Sequence, residues 1–367
     1  MSTSLRIASF NVENLFGRSK VLNFRDRSVG DEILSKIDSF QELLKKDVYF
    51  AEDKKRMLSL HKELKPYIEV REDRGRLFKR KGTAVVGVKA AGASDWDGAI
   101  QFKKAKFTEL TRENTARVIR DVNADVACII EAEDRPVLHS FNVELLESQY
   151  KYSMLIDGND QRGIDVGLYS NYQLGQIRTH LFDKSGNQTI FSRDCLEVEI
   201  LLPGGQQMYL LCNHFKSKGY DPQGKASKKR EMQARRVAEI LEGYDLEKDW
   251  VAVAGDLNDT PDSPSLQPLL GVESLFDVLR LQYPDDLSRR WTYHYQRFEQ
   301  IDFLLVSRPL RDRFSRAGVE RRGIYDLKRI TSASHGLVDV ELQYDTVTRW
   351  TNSASDHGAV WSEFKVS

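Results

Sequence analysis

Short apolar runs punctuate this chain, and most of them end in or begin from a cluster of polar residues. Arg6–Asn11, Ala124–Ile130, Asp165–Tyr169, Cys195–Leu201, Met208–Cys212, Val251–Ala254, Ile301–Val306 and Ala359–Phe364 have the length and apolar content of strands. Several are apolar almost throughout, the pattern of strands covered on both faces. Helical periodicity appears at Asn114–Val122, where Ala116, Val118 and Ile119 sit among charges, and at Ser227–Gly243, which closes on a glycine. Strands interleaved with helices over this length predict one α/β domain with layered sheets and helices outside.

Residues 18–106 break the pattern. Ser28–Leu64 is charged and helix-like, and Lys65–Gly98 alternates basic stretches with small residues. This predicts a charged, partly helical insertion within a single domain of residues 1–367. It reads either as a solvated helical excursion or as a lid that contacts substrate.

Composition narrows the class. With 40% hydrophobic and 30% charged residues, the chain is too apolar to be disordered. Its 55 basic and 55 acidic side chains cancel, so net charge points to no partner, although a balanced total can hide a basic face. No run reaches the length of a transmembrane helix, so no membrane association is expected. Met1–Arg6 leads directly into a strand-like segment without the plan of a signal peptide. Cys128, Cys195 and Cys212 lie in or beside apolar runs without metal-ligand spacing, and read as buried thiols of a reducing, cytoplasmic compartment.

The polar clusters carry the chemistry. Phe10-Asn11-Val12-Glu13 closes the first run, and Glu131 and Glu133 follow the second. Asn213-His214-Phe215-Lys216-Ser217 and Gly255-Asp256-Leu257-Asn258 follow later runs. Gln300-Ile301-Asp302 opens another, and Ser355-Asp356-His357 precedes the last. Any one of these reads equally as a turn or a helix cap. Together they describe a site built at one edge of a sheet, where strand ends hold polar groups rigidly.

Their order resembles the endonuclease/exonuclease/phosphatase superfamily. The motifs are Ser9-Phe10-Asn11-Val12-Glu13, Ile130-Glu131, Gly255-Asp256-Leu257-Asn258, Ile301-Asp302-Phe303 and Ser355-Asp356-His357, with Asn213-His214 as in deoxyribonuclease-like members. The resemblance covers both ends and everything from about Asn114 onward. It implies a four-layer α/β sandwich, two packed mixed β-sheets flanked by helices, and metal-assisted attack of water on phosphorus. Glu131 would be the principal ligand of Mg²⁺, or of Mn²⁺ in its place, with Asn11, Glu13 and Asp356 as further ligands or orienting groups. His357 would act as general base or bind the phosphate, with Asp302 on its other ring nitrogen. Asp256 and Asn258 would position the attacking water and a non-bridging oxygen. His214 would help protonate the leaving group.

Arg193 resembles a phosphate-contacting arginine of nuclease members, and Arg162 is a second candidate; either reads equally as an ion-pair partner. Between Lys216 and Arg236, eight basic residues face two acids. Lys216, Ser217 and Lys218 begin two residues after His214 and suit a phosphate backbone. Lys228–Arg236 reads equally as the outer face of an amphipathic helix. Tyr220 and Trp291–Tyr295 suit base stacking or packing. The expected function is a sequence-nonspecific endo- or exonuclease on DNA, with RNA also open and no obligatory protein partner inferable. The alternatives are a phosphatase or phosphodiesterase for small phosphorylated molecules or lipid headgroups, and a catalytically silent binding protein.

Overall fold

The structure, a computed structural model, describes residues 3–13, 15, 19–22, 24, 27–103, 109–160, 162–218 and 224–366. The chain divides into two compact units, residues 1–16 with 107–367 and residues 17–106.

Twelve described strands of the larger unit form two six-stranded sheets. In chain order they are β1 (Thr3–Asn11), β2 (Val126–Ala132), β3 (Tyr152–Leu155), β4 (Asp165–Ser170), β5 (Gln173–Arg178) and β6 (Cys195–Leu201). β7 (Gln207–His214), β8 (Trp250–Asp256), β9 (Leu275–Asp277), β10 (Asp302–Ser307), β11 (Phe314–Glu320) and β12 (Ala359–Val366) follow. One sheet runs β11-β12-β1-β2-β4-β3 and the other β9-β10-β8-β7-β6-β5. Both are mixed: β1 lies parallel to β2 and β7 parallel to β8, and the other pairings are antiparallel.

Alternation along the strands explains the layers. Leu5 and Ile7 of β1, and Val126, Cys128 and Ile130 of β2, meet Leu210 and Cys212 of β7, Ala252 and Ala254 of β8, and Leu304 and Val306 of β10 in one core between the sheets. The residues between them point outward. Ala8, Phe10, Ala127 and Ile129 pack under α1 (Glu109–Val122) and α2 (Arg135–Glu144). Leu211, Val251, Val253, Phe303 and Leu305 pack under Ala234, Val237 and Leu241 of α3 (Lys225–Leu241). The result is the four-layer sandwich with two mixed sheets. Each buried Leu or Ile side chain contributes roughly 1.5–3 kcal/mol. The three cysteines are buried free thiols, and no described helix is long and apolar enough to cross a membrane.

Gly255 in β8 shows how tightly these strands approach. Its φ is +143°, and a Cβ there would meet the Asn213 carbonyl oxygen at 1.8 Å. Gly255→Ala is expected to destabilise the protein by about 3 kcal/mol. A chemical-denaturation midpoint equal to that of the parent would contradict this reading of the strand.

The unit of residues 17–106 has a core of its own, which the charged sequence concealed. Ile33, Ile37, Phe40 and Leu44 line one face of the helix Arg27–Leu44, and Met57, Leu60 and Leu64 line one face of Ala51–Leu64. These positions recur at three- and four-residue spacing, so the stripe is amphipathic although most of each helix is polar. Two ribbons complete the unit: Ile68–Gly75 with Trp96–Phe102, and Phe78–Lys81 with Ala84–Val88. A bare helical excursion would have no such core.

Candidate active site

The period of the strands places most of the candidate residues. Asn11 continues the inward series of β1, His214 that of β7, Asp256 that of β8 and Asp302 that of β10. In register, Asn11 lies opposite Ile130, His214 opposite Asp256, and Asp256 opposite Asp302. Polar groups from both sheets therefore meet where the apolar inter-sheet core ends.

Glu131 is the exception, because simple alternation sends it outward with Ala127 and Ile129. A β-bulge between Ile130 and Ala132, with Glu131 at φ +66°, turns it back. Its Oε1 then lies 3.4 Å from Asn11 Nδ2 and 3.7 Å from His214 Nε2. The acid is visible in the sequence, but the bulge that makes it useful is not.

Asp256 Oδ2 lies at the middle of the cluster. It accepts from Asn11 Nδ2 at 3.1 Å and lies 3.8 Å from His214 Nε2 and 4.0 Å from His357 Nε2. Asp256 Oδ1 accepts from the Asn258 amide at 2.8 Å. Burial, and then the charge of Asp302, pushes the Asp256 carboxyl up to about 7.

His357 and Asp302 form a buried pair, Nδ1 to Oδ2 at 2.8 Å. Burial disfavours the imidazolium, but the charge and hydrogen bond of Asp302 outweigh it and push His357 up to about 10. His214 goes the other way: burial, followed by the charges of Arg193 and Arg162, holds it well below the ordinary histidine value. Two histidines in one site thus favour opposite protonation states.

Residues that sequence reasoning passed over hold these groups. The Thr292 hydroxyl accepts from the amides of Ile301 and Asp302, both at 3.1 Å, and the Thr292 carbonyl accepts from Gly358 at 2.7 Å. Ser355 Oγ donates to the Asn11 carbonyl at 2.7 Å and accepts from the His357 amide at 3.0 Å. The Phe215 carbonyl accepts from Asn258 Nδ2 at 3.1 Å and Arg193 Nη1 at 3.3 Å. Asp160 binds both candidate arginines, accepting from Arg162 Nε at 2.8 Å and lying 3.3 Å from Arg193 Nε. Ser355 and Phe215 carried a signal, as members of Ser355-Asp356-His357 and Asn213-His214-Phe215-Lys216-Ser217.

The remaining candidates are less central. Asp356 is half-buried, with Oδ1 3.7 Å from His357 Nε2. Glu13 stands at φ +52°, and its amide donates to Asn11 Oδ1 at 3.0 Å. Arg193 is fully buried among Asp160, Phe215 and the electrostatic field of Glu131 and Asp256, whereas Arg162 is turned onto Asp160. Lys218 pairs with Glu299 at 2.8 Å and Asp259 at 3.5 Å. The Lys216 amide donates to Gln233 Oε1 and its carbonyl accepts from Arg230, while Ser217 is half-buried beside it. On α3, Arg230 lies on the buried face against Asp259, whereas Arg235 and Arg236 pair with acids on the polar face, so this half of the basic stretch is divided between the two faces of an amphipathic helix. Trp291 is buried edge-on against Phe298 at 5.0 Å and is a packing residue. Tyr293 packs on His357 with ring centroids 5.0 Å apart, and Tyr295 is exposed. Tyr220 lies outside the described residues.

The cluster suits a hard divalent cation. The buried carboxylates of Asp256 and Asp302 stand beside the half-buried Glu131, and burial, followed by the charge of Asp302, pushes the Asp256 carboxyl up. Asp256, Asp302 and His357 offer ligand atoms within 4.8 Å of one another, but His357 and Asp302 are engaged with each other. The oxygen donors beside them, Glu131 and Asn11, match Mg²⁺ chemistry better.

Residues 89–310 match the family model described as the Endonuclease/Exonuclease/phosphatase family. The chain belongs to this family. Members of this endonuclease/exonuclease/phosphatase family are generally metal-dependent hydrolases of phosphodiester bonds. No curated protein matches the chain. Among solved structures, truncated Caenorhabditis elegans TDP2 aligns at 18% identity and a TM-score of 0.47, over 70% of this chain and 91% of that one. Humanized D. rerio TDP2 aligns at 16% identity and 0.48, over 71% and 94%. An AP endonuclease from Archaeoglobus fulgidus aligns at 14% and 0.47, over 70% and 95%. Likenesses of this degree say nothing of substrate.

Proposed function

We propose that the protein is a Mg²⁺-dependent phosphodiesterase that cleaves nucleic acid without sequence specificity. The observation that carries this reading is the convergence of Asn11, Glu131, His214 and Asp256 from both sheets beside the His357–Asp302 pair. Glu131 and Asn11 would hold the cation, with Glu13 and Asp356 orienting the ligands around it. The cation, Mg²⁺ or Mn²⁺, supplies neutralisation of the phosphoryl oxygens.

The chain's own residues do the rest. Asp302 holds His357 protonated, so its Nε2–H binds a phosphate oxygen; this favours the binding role over the base. Arg193, fixed by Asp160, adds a second cationic contact. Asp256 and Asn258 position the attacking water. Asp256 Oδ2, at the middle of the cluster, would accept the proton as water attacks phosphorus. His214 is neutral in the free site. A bound phosphate anion offsets Arg193 and raises its proton affinity, so that Nε2–H donates to the departing oxygen.

His214→Ala is expected to slow substrates with poor leaving groups by about 10²-fold, and those with a nitrophenolate leaving group far less. Equal slowing of both classes would remove His214 from this role. The function as a whole is tested by comparing substrates in Mg²⁺. Supercoiled plasmid, linear duplex, single-stranded DNA and RNA are set against phosphate release from small monoesters and headgroup release from sphingomyelin. Cleavage of the nucleic acids with the highest kcat/KM is expected. Turnover confined to small monoesters or lipid would overturn the nuclease reading.

A further inference from the structure

The whole-chain balance of charge conceals an opposition between the two units. Residues 17–106 hold 22 Lys and Arg against 14 Asp and Glu, whereas the other unit holds 33 against 41. Part of this excess gathers on one element. The strands Phe78–Lys81 and Ala84–Val88 pair antiparallel about Gly82, which stands at φ +60°. From residue 76 to residue 89 there are five basic side chains and no acid. All five, Arg76, Lys79, Arg80, Lys81 and Lys89, are exposed.

The base of this ribbon is fixed. Phe78 is buried with its ring 4.6 Å from that of His61, and Glu72 Oε2 accepts from the amides of Leu77 and Phe78 at 2.7 and 3.4 Å. Arg80 is tied to Glu72 Oε1 at 2.9 Å. Arg76, Lys79, Lys81 and Lys89 make no ion pair with a described acidic side chain. An ordinary solvated surface intersperses both signs, and this ribbon carries one.

We propose that the ribbon of residues 76–89 is a nucleic-acid-binding element that contacts the phosphates of a duplex. The proposal rests on the nuclease reading of the active site. A two-stranded ribbon has the width of a DNA major groove, and unpaired basic side chains on it would displace counterions from the backbone without reading sequence. It presents no exposed aromatic ring for stacking on single strands. Val86 is its one large exposed apolar side chain, too little to seat in a membrane. All but its last residue precedes the stretch matched by the family.

The test measures binding of the full-length protein to a labelled duplex in chelator, by fluorescence anisotropy at several salt concentrations. The variant carries Arg76→Ala, Lys79→Ala, Lys81→Ala and Lys89→Ala. It is expected to bind at least about 10-fold more weakly, and its log K against log salt slope should be shallower by roughly 3. Its hydrolysis of bis(p-nitrophenyl) phosphate should match the parent, which shows that it is folded. If the parent cleaves nucleic acid but the variant keeps the same slope and affinity, the ribbon proposal is overturned and the nuclease reading stands. If the parent neither binds nor cleaves nucleic acid, both fail. Variant-sensitive binding to phosphatidylglycerol vesicles without duplex binding would overturn the ribbon's assignment in favour of a membrane surface.

Discussion

Glu131→Gln is expected to lower metal-dependent phosphodiester cleavage at least about 10³-fold, which corresponds to about 4 kcal/mol of transition-state stabilisation. Glutamine keeps the shape of the side chain and its place in the bulge, but removes the negative charge that faces Asn11 Nδ2 and His214 Nε2. The melting temperature of the metal-free protein should change little, because the substitution relieves carboxylate crowding around Asp256. Calorimetric titration with Mg²⁺ should show weaker binding in parallel with the lost rate. Unchanged Mg²⁺ affinity with full activity would remove Glu131 from the ligand set and move attention to Asp256.

The second large effect lies at the buried His357–Asp302 pair. Asp302→Asn leaves His357 Nδ1 facing a neutral amide, so the imidazole no longer has the anion that keeps it charged. Cleavage at pH 7 is expected to fall by about 10²-fold. Because Asp302 raises the proton affinity of His357, its removal should move the histidine's titration to lower pH, visible in the imidazole NMR signals. Activity lost with rising pH should then disappear at a lower pH than in the parent. An unaltered titration would show that Asp302 does not control this proton, whatever happened to the rate.

Much of this arrangement was legible because strand ends announce themselves. An apolar run that stops at Asn11, at His214 or at Asp256 marks both the strand and the polar group it carries. The central strands were readable because they are buried on two faces. Edge strands such as Gln173–Arg178 and Phe314–Glu320 contain glycine, arginine or glutamine among few apolar residues, and they blend into loops. The helix Arg135–Glu144 is likewise faint in the sequence, although Asp134 caps it by accepting from the Val137 amide.

The site was legible in composition but not in geometry. The sequence supplies Glu131 but not the left-handed residue that aims it, and Arg193 but not its anchor Asp160. Tertiary pairing over more than thirty positions leaves no local pattern to read. The core of residues 17–106 was hidden for a related reason. Its apolar stripe is narrow, and the charges around it dominate the composition.

Hydrolysis of phosphodiesters by this cluster with a bound cation is tested by incubating supercoiled plasmid with the purified protein in Mg²⁺ and in chelator, beside His357→Ala. Cleavage in Mg²⁺ that vanishes in chelator and falls by about 10²-fold or more in the variant is the predicted result. Cleavage that persists in chelator, or that His357→Ala carries out at the parental rate, would contradict it.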